Sequence, residues 1–432
     1  MNKETNLNRR SFLRKSTVAI ATALAAPTIV PSSVLGANSP SNRINLGMIG
    51  MGLMMGGHYN SMLGRSDVQV LAVCDVDRNR RDSNAAKGNA KYAQKYGKGK
   101  YNAIEAYLEY EKVCARNDID AVFVITPDHW HAMCSLEAIK AGKDVYCQKP
   151  MTLTIKEGRL MSDACKQYNS IFQVGSQQRS EWAFRKACEL VRNGYIGKVH
   201  TIYAHLGSFA PPATLEAQPI PDGFDYDRWL GPTPWYPFNA ERVKGNYGGG
   251  WRRFWEYGSR KNGDWGAHHF DIIQWALGMD NSGPVKFVPK GYKGNQYQTH
   301  YYADGCKVLR DHPDSKGHMI RFIGSDGEVM CSRGGRIDTT PTELARTVLL
   351  PSETHLYESS QHESNWLECV RTRKQPICDA EIGHRTATIC HLSGIAERLG
   401  RPIHWDPAEE KILDDPTASR WIDRPRRAPY IL

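Results

Sequence analysis

Residues 43–49 form a short apolar strand that runs without a break into Gly50-Met51-Gly52. A second strand, residues 68–74, ends on Asp75, 25 residues beyond Gly50. A strand feeding a glycine turn and a helix, followed by a strand closed by an acid, is the entry unit of a dinucleotide-binding βαβ fold. The glycines permit a tight turn and bring backbone N–H groups close to a pyrophosphate at a helix N-terminus. Asp75 is placed to accept hydrogen bonds from the adenosine ribose and to repel a 2′-phosphate, which favours NAD over NADP. Arg78 and Arg80, just downstream, soften that preference. The spacing departs from the usual fingerprint: the third small residue is expected at Met55, and Gly56 comes one place later. A glycine pair at such a turn also occurs without a cofactor, so the reading also needs the alternation downstream.

That alternation is present. Residues 121–125, 144–147 and 172–174 read as further strands, the first running into Thr126-Pro127-Asp128. Between them Ala132, Met133, Leu136 and Ile139, then Leu160, Met161, Ala164, Cys165 and Tyr168, recur at helical spacing. Strands alternating with helices pair in parallel, so residues 43–180 are expected to form a Rossmann-type, doubly wound α/β domain. From about residue 181 to 432 the texture changes. A helix around Phe184 and Cys188 and a strand at 199–204 precede a Pro-, Trp- and Gly-rich stretch at 211–263. Then come short strands with turns, including a hairpin around Ser325-Asp326-Gly327, and helices at 364–372 and 384–399. This half is expected to be an α+β substrate and oligomerisation domain with a large, mostly antiparallel sheet. Its C-terminal helices are allowed to pack back on the first domain.

The N-terminus reads as an address. Asn8-Arg9-Arg10-Ser11-Phe12-Leu13 has the form of a twin-arginine export motif, and an apolar stretch and small residues follow, so residues 1–36 are expected to be a signal segment delivering a periplasmic protein. Its charged residues supply +4 of the formal +10, leaving +6 spread along the remainder. No basic block interleaved with aromatics occurs, which argues against a nucleic-acid partner. No apolar run reaches the ~18 residues of a membrane span, so no membrane association is expected once the signal is removed. Most of the eleven cysteines fall inside apolar patterns, without a Cys-x-x-Cys pair, and read as small buried hydrophobes.

Three further segments are Thr126-Pro127-Asp128-His129-Trp130-His131, Gln148-Lys149-Pro150 and Asp264-Trp265-Gly266-Ala267-His268-His269. Together with Gly50, Gly52 and Asp75 they resemble the Gfo/Idh/MocA oxidoreductases, over essentially all of the chain beyond the signal. The stretches Gln177-Gln178-Arg179-Ser180 and Asp227-Arg228-Trp229-Leu230-Gly231-Pro232, with an Arg- and Pro-rich terminus, look most like the exported members. The resemblance implies a lysine of a Glu-Lys-Pro motif at Lys149, and an Asp and His four apart at Asp264 and His268. It also places Thr126, Pro127 and His131 beside a nicotinamide and implies a homo-oligomer, dimer or tetramer. Where the family usually has Glu, this chain has Gln148, which removes a negative charge beside Lys149 and shifts weight to Asp264.

Moving hydride from a secondary alcohol to nicotinamide needs a base for the hydroxyl proton, and imidazole suits that near neutral pH. His268 is the candidate base, Asp264 a partner that orients it or stabilises its protonated form, and Lys149 the donor to the developing alkoxide. The plainer readings stand beside these: Lys149 as a solvated loop residue, Asp264 as a helix N-cap, and His268 and His269 as buried histidines. His129 and His131, two apart, make a weak metal signal without acidic partners, so no metal is expected. Arg179, Trp235, Trp251, Trp255, Tyr257 and His269 are the candidate substrate contacts, with Arg252 a further hydroxyl partner and the aromatics of the 211–263 loop a possible sugar platform; packing is the alternative for those aromatics. The function expected is an exported NAD-dependent oxidoreductase acting at a secondary hydroxyl, C3, of a sugar or glycoside. Two rivals remain open: a glycosidase using transient C3 oxidation and elimination, and a non-catalytic sugar-binding protein.

Overall fold

The computed structural model describes residues 43–97, 99, 101, 103–212 and 214–432, so the expected signal segment lies outside the described residues. A six-stranded parallel sheet is built from β1 (Ile44–Ile49), β2 (Val68–Cys74), β3 (Glu105–Tyr107), β4 (Ala121–Val124), β5 (Asp144–Cys147) and β6 (Phe172–Val174). Their order is β3-β2-β1-β4-β5-β6, with every pairing parallel. β4 and β5 are buried at every residue, as expected of strands covered on both faces. Crossovers run through helices α1 (Met55–Gly64), α2 (Arg78–Lys95), α3 (His131–Lys140) and α4 (Ile155–Tyr168). The order reverses between β1 and β4, which opens a crevice at the C-terminal strand ends.

Local chemistry sets the helix limits. The Thr154 hydroxyl accepts from Glu157 N–H at 3.2 Å, while the Glu157 carboxylate accepts from Thr154 N–H at 3.1 Å, a reciprocal cap that starts α4. Asn169, at φ 52°, ends it in the left-handed region. β3 went unread in the sequence because its three residues sit exposed or half-buried at the sheet edge and show no apolar alternation.

The second sheet has nine strands. Added to β7 (Val199–Ala204) are β8 (Lys286–Val288), β9 (Thr299–Tyr301), β10 (Lys307–Arg310), β11 (Ile320–Gly324), β12 (Glu328–Ser332), β13 (Arg336–Thr340), β14 (Ile403–Asp406) and β15 (Lys411–Ile412). The order is β13-β12-β11-β7-β10-β9-β8-β14-β15, antiparallel throughout except for β7 against β10. The β11–β12 hairpin turns at Ser325-Asp326-Gly327, as the sequence predicts. One face is covered by helices α5 (Trp182–Arg192), α6 (Gly266–Leu277) and α8 (Ala380–Leu399). α6 is buried from Gly266 to Ala276, the mark of a helix packed on all sides.

α7 (His362–Thr372) and α8 return to the parallel sheet. Trp366, fully buried, packs edge-on against Phe123 of β4 and Tyr146 of β5, and α8 lies along α4. All eleven cysteines are buried free thiols.

Candidate active site

A cleft of about 1210 Å³ lies at the C-terminal ends of β1, β2, β4 and β5. That exceeds the roughly 300–1,000 Å³ of ordinary small-molecule pockets and leaves room for a dinucleotide beside a second ligand. Gly50 sits at φ 88°, and a Cβ there would lie 2.6 Å from the Ile125 carbonyl oxygen, so only glycine fits the turn. Gly52, Gly56 and Gly57 line the cleft, and a Cβ on any of them would meet nothing within 4 Å. Helix α1 starts behind Met54 without a side-chain cap, which leaves its first N–H groups free for an anion. The displaced third glycine therefore borders the cleft instead of tightening helix–strand packing. An open glycine cradle, an uncapped helix and a terminal acid fit the pyrophosphate and ribose of NAD.

Asp75 is buried at the cleft, where its two oxygens accept from Met51 N–H (2.8 Å) and Asp77 N–H (2.9 Å). A carboxylate has about four acceptor positions, so two remain for ribose hydroxyls. Burial pushes its carboxyl above the usual range, with Arg80 opposing from 3.5 Å. Of the two downstream arginines, Arg80 lines the cleft and Arg78 does not. Asp77 caps α2 by accepting from Arg80 N–H, which puts Arg78 in the first helical position, against Gly223. Arg78 as a cofactor contact is thereby corrected to Arg80.

Thr126, Pro127 and His131 line the next part of the wall. His131 sits between two carbonyls, Pro150 O 2.7 Å from Nδ1 and Thr126 O 3.0 Å from Nε2, and the single N–H of its neutral ring donates to one of them. Burial pushes its pKa down to about 4, so the ring is a neutral strut at neutral pH. His129 is equally committed: its Nε2 lies 2.8 Å from the Trp229 carbonyl.

Lys149 reaches across the cleft. Its Nζ donates to the Asp264 backbone carbonyl at 2.5 Å and to Asp264 Oδ1 at 3.2 Å. Lys261 holds the other carboxylate oxygen at 3.0 Å, and Arg252 Nε stands 3.7 Å away. Burial alone would raise the Asp264 carboxyl; Lys149 and Lys261 outweigh it and hold the group below its usual range. Asp264 is not the cap of α6, since Trp265 holds that position and Asp264 ends a separate short helix at Arg260–Asp264. It makes no hydrogen bond to His268 either, so its expected role of orienting the histidine is corrected: it positions Lys149. Both still line the one cleft. His268 is buried with Nδ1 unpartnered, and burial followed by the nearby Lys149 charge pushes its pKa well below the usual value.

The expected substrate contacts divide. Trp251 lines the cleft, and Arg252 stacks on it at 4.2 Å. Arg179 does not reach the cleft: it is buried in ion pairs with Asp271 (2.8 Å) and Asp280 (2.7 Å). Trp235 is 61% exposed and outside the cleft. Trp255 packs on Arg398 at 4.5 Å and on α8 at Gly394, and Tyr257 packs edge-on against Trp229 at 4.9 Å. His269, beside Trp265, is also off the cleft wall, with burial taking its pKa down to about 3. Most of the loop's aromatics therefore form a core of their own, with Tyr226, Phe238 and Phe254.

Other cleft residues were given no role by sequence reasoning. Asp128, within the motif already singled out, is buried with its carboxyl pushed up to about 7 by burial, against the pull of Arg252 and Lys149. Gln148 bonds His58 Nε2 at 3.0 Å, and His58 Nδ1 lies 2.8 Å from Glu363 of α7. The Gln148 amide is thus linked through an imidazole to a carboxylate of α7. No local pattern could reveal a partner more than 300 residues away in the chain.

Two family models cover most of the chain: an oxidoreductase family NAD-binding Rossmann fold over residues 44–176, and an oxidoreductase family C-terminal alpha/beta domain over residues 198–432. The chain is 31% identical over 121 residues to D-xylose 1-dehydrogenase [NADP(+)] of Haloarcula marismortui, covering 28% of this chain and 32% of that protein. It is 30% identical over 168 residues to a Glycosyl hydrolase family 109 protein of Shewanella pealeana, covering 35% of each. The chain therefore spans about a third of the length of these curated relatives. Among solved structures, aldose-aldose oxidoreductase from Caulobacter crescentus shares the fold, with TM-score 0.56 and 17% identity over 84% of this chain and 99% of that one. With its NAD-binding Rossmann domain and its mostly antiparallel second sheet, the chain belongs to the Gfo/Idh/MocA oxidoreductase family.

Proposed function

We propose that the protein is an NAD-dependent oxidoreductase that oxidises a secondary hydroxyl, C3, of a sugar or glycoside to a ketone. The observation that carries this reading is Lys149, pinned by Asp264 in one cleft with a neutral His268 and an open glycine cradle. Gly50, Met51, Gly52, Asp75, Thr126 and Pro127 would hold the cofactor, which supplies a two-electron acceptor for the hydroxyl-bearing carbon. His268, held neutral, accepts the hydroxyl proton, and the Lys149 ammonium donates a hydrogen bond to the same oxygen as negative charge develops. The two roles support each other. Lys149 opposes protonation of His268, and an alkoxide beside Lys149 cancels that opposition. Asp264 keeps Lys149 in register, and Asp128, closed over by Gly258, lies in the same charge cluster. The Arg9-Arg10 motif supports export, in which case a tightly held cofactor would travel with the folded protein.

A second reading is favoured by the named glycosyl hydrolase relative: oxidation at C3 followed by elimination of the glycoside's leaving group. Incubating purified protein with a glycoside panel and analysing products by mass spectrometry separates the two. A 3-keto glycoside with matching reduced cofactor supports the dehydrogenase. Free aglycone without net cofactor reduction supports the glycosidase. Neither product with any sugar refutes both.

A further inference from the structure

Arg333 lines the cleft from the turn between β12 and β13. Gly334 and Gly335 take φ values of 77° and 76° there. The tip is docked, not free: Gly334 N–H donates to Glu181 at 3.2 Å, and a Cβ on Gly335 would meet the Trp182 indole nitrogen at 2.9 Å. The guanidinium carbon lies 4.9 Å from the Trp265 ring, the residue that follows Asp264. With the Gln178 amide oriented to donate to the His268 carbonyl (3.2 Å), its oxygen accepts from Arg333 Nε at 3.2 Å. Stacking and this single bond fix the plane of the fork. Among the described residues the two terminal nitrogens have no hydrogen-bond acceptor and no carboxylate within ion-pair distance.

Other cleft cations are already engaged. Lys149 pairs with Asp264, Arg80 faces Asp75, and Arg228 meets Glu109 at 3.3 Å. Around Asp264 the balance is positive, with Lys149, Lys261 and Arg252 all turned to one carboxylate. A planar fork held on an aromatic ring, with its outer N–H groups open, matches an oxyanion in a way a hydroxyl does not require. Glu181 and Asp264 are the carboxylates whose charge acts on Arg333, and neither pairs with its fork.

We propose that the sugar carries an oxyanion substituent, a carboxylate or a phosphate, and that Arg333 binds it while Lys149 and His268 hold the reacting hydroxyl. This rests on the sugar-oxidoreductase reading above and narrows its substrate class to acidic sugars. The test measures binding of glucose, glucuronate and glucose 6-phosphate to the full chain loaded with NAD, by calorimetry, in wild type, Arg333→Gln and Arg333→Lys, with cofactor reduction followed in parallel. Wild type is expected to bind at least one acidic sugar about tenfold or more tighter than glucose. Which one it prefers separates carboxylate from phosphate. Arg333→Gln removes that preference, and Arg333→Lys, which keeps charge but not the fork, restores part of it. Equal affinity for acidic and neutral sugars, or a preference that survives Arg333→Gln, overturns the proposal. An Arg333-dependent acid preference without reduction by any sugar upholds the anion site and sinks the oxidoreductase reading instead.

Discussion

Arg179 gives the sharpest test of how side chains were assigned between core and cleft. Its guanidinium is 1% exposed and makes two 2.8 Å bonds to Asp271, itself 0% exposed, and further bonds of 2.7 and 3.2 Å to Asp280. It also stacks over Trp275 at 5.1 Å. Arg179→Met keeps the apolar stem and deletes the charge. Asp271 would then be left buried with the Thr386 hydroxyl at 3.1 Å as its remaining side-chain partner. Removing one member of a buried pair costs about 3–5 kcal/mol, and the lost stacking adds about 1 kcal/mol. Against a total stability of roughly 5–15 kcal/mol that is a large fraction. Burial already raises the Asp271 carboxyl with Arg179 opposing, so without Arg179 it rises further. A carboxyl raised in the folded state penalises folding when ionised; the deficit is therefore largest above its folded pKa and shrinks as pH falls and Asp271 takes up a proton. The assay is the guanidinium midpoint of wild type and variant, both saturated with NAD, at neutral and acidic pH. A large loss at neutral pH that narrows in acid, with the sugar KM of the folded fraction unchanged, is expected. An unchanged midpoint with a raised KM would refute the assignment and return Arg179 to the substrate.

Lys149→Ala and His268→Ala should each lower kcat at least about 100-fold while leaving NAD bound, measured by turnover and by cofactor released on denaturation. Near wild-type turnover in either variant removes that residue from the chemistry. Asp75→Ala should weaken NAD by about 10- to 150-fold through lost charge-assisted hydrogen bonds, with little change in kcat at saturation; unchanged affinity would mean that Asp75 does not meet the ribose. Asp128→Asn tests the raised carboxyl. Ionised Asp128 costs stability above its folded pKa of about 7 and nothing below its unfolded value near 4, so the variant should gain on the order of a few kcal/mol over wild type at pH 8.5 and little at pH 4. A melting-temperature difference that does not change with pH would contradict it.

Much of this was legible in the chain. Local patterns fixed the parallel strands, because alternating apolar runs and helices admit few topologies, and Gly50 was identifiable because a strand-to-helix turn demands a positive φ. The second domain's Asp264 and His268 came from the motif resemblance, and both line the cleft. What the sequence hid was pairing at a distance. Arg179 and Arg252 look alike in a sequence; one meets Asp271, 92 residues on, and the other the cleft. Arg78 and Arg80 are separated only by the helix phase that Asp77 sets. Asp264 and His268, four apart, fall on two helices with Trp265 between them, and the carboxylate pairs with Lys149. The loop aromatics left a sugar platform and packing both open; Trp229, Trp251 and Tyr257 pack in a core of their own, and Trp251 also lines the cleft.

A cofactor held in the Gly50–Asp75–Lys149 cleft should be reduced by a sugar. The direct measurement is to purify the protein without added dinucleotide, denature one portion to quantify NAD(H), and follow the reduced-nicotinamide absorbance of another on adding sugars. Near-stoichiometric NAD(H), and an absorbance rise with sugar that Lys149→Ala abolishes, are the predicted results. A cofactor-free protein that binds NAD weakly, or a loaded one that no sugar reduces, would contradict the central claim.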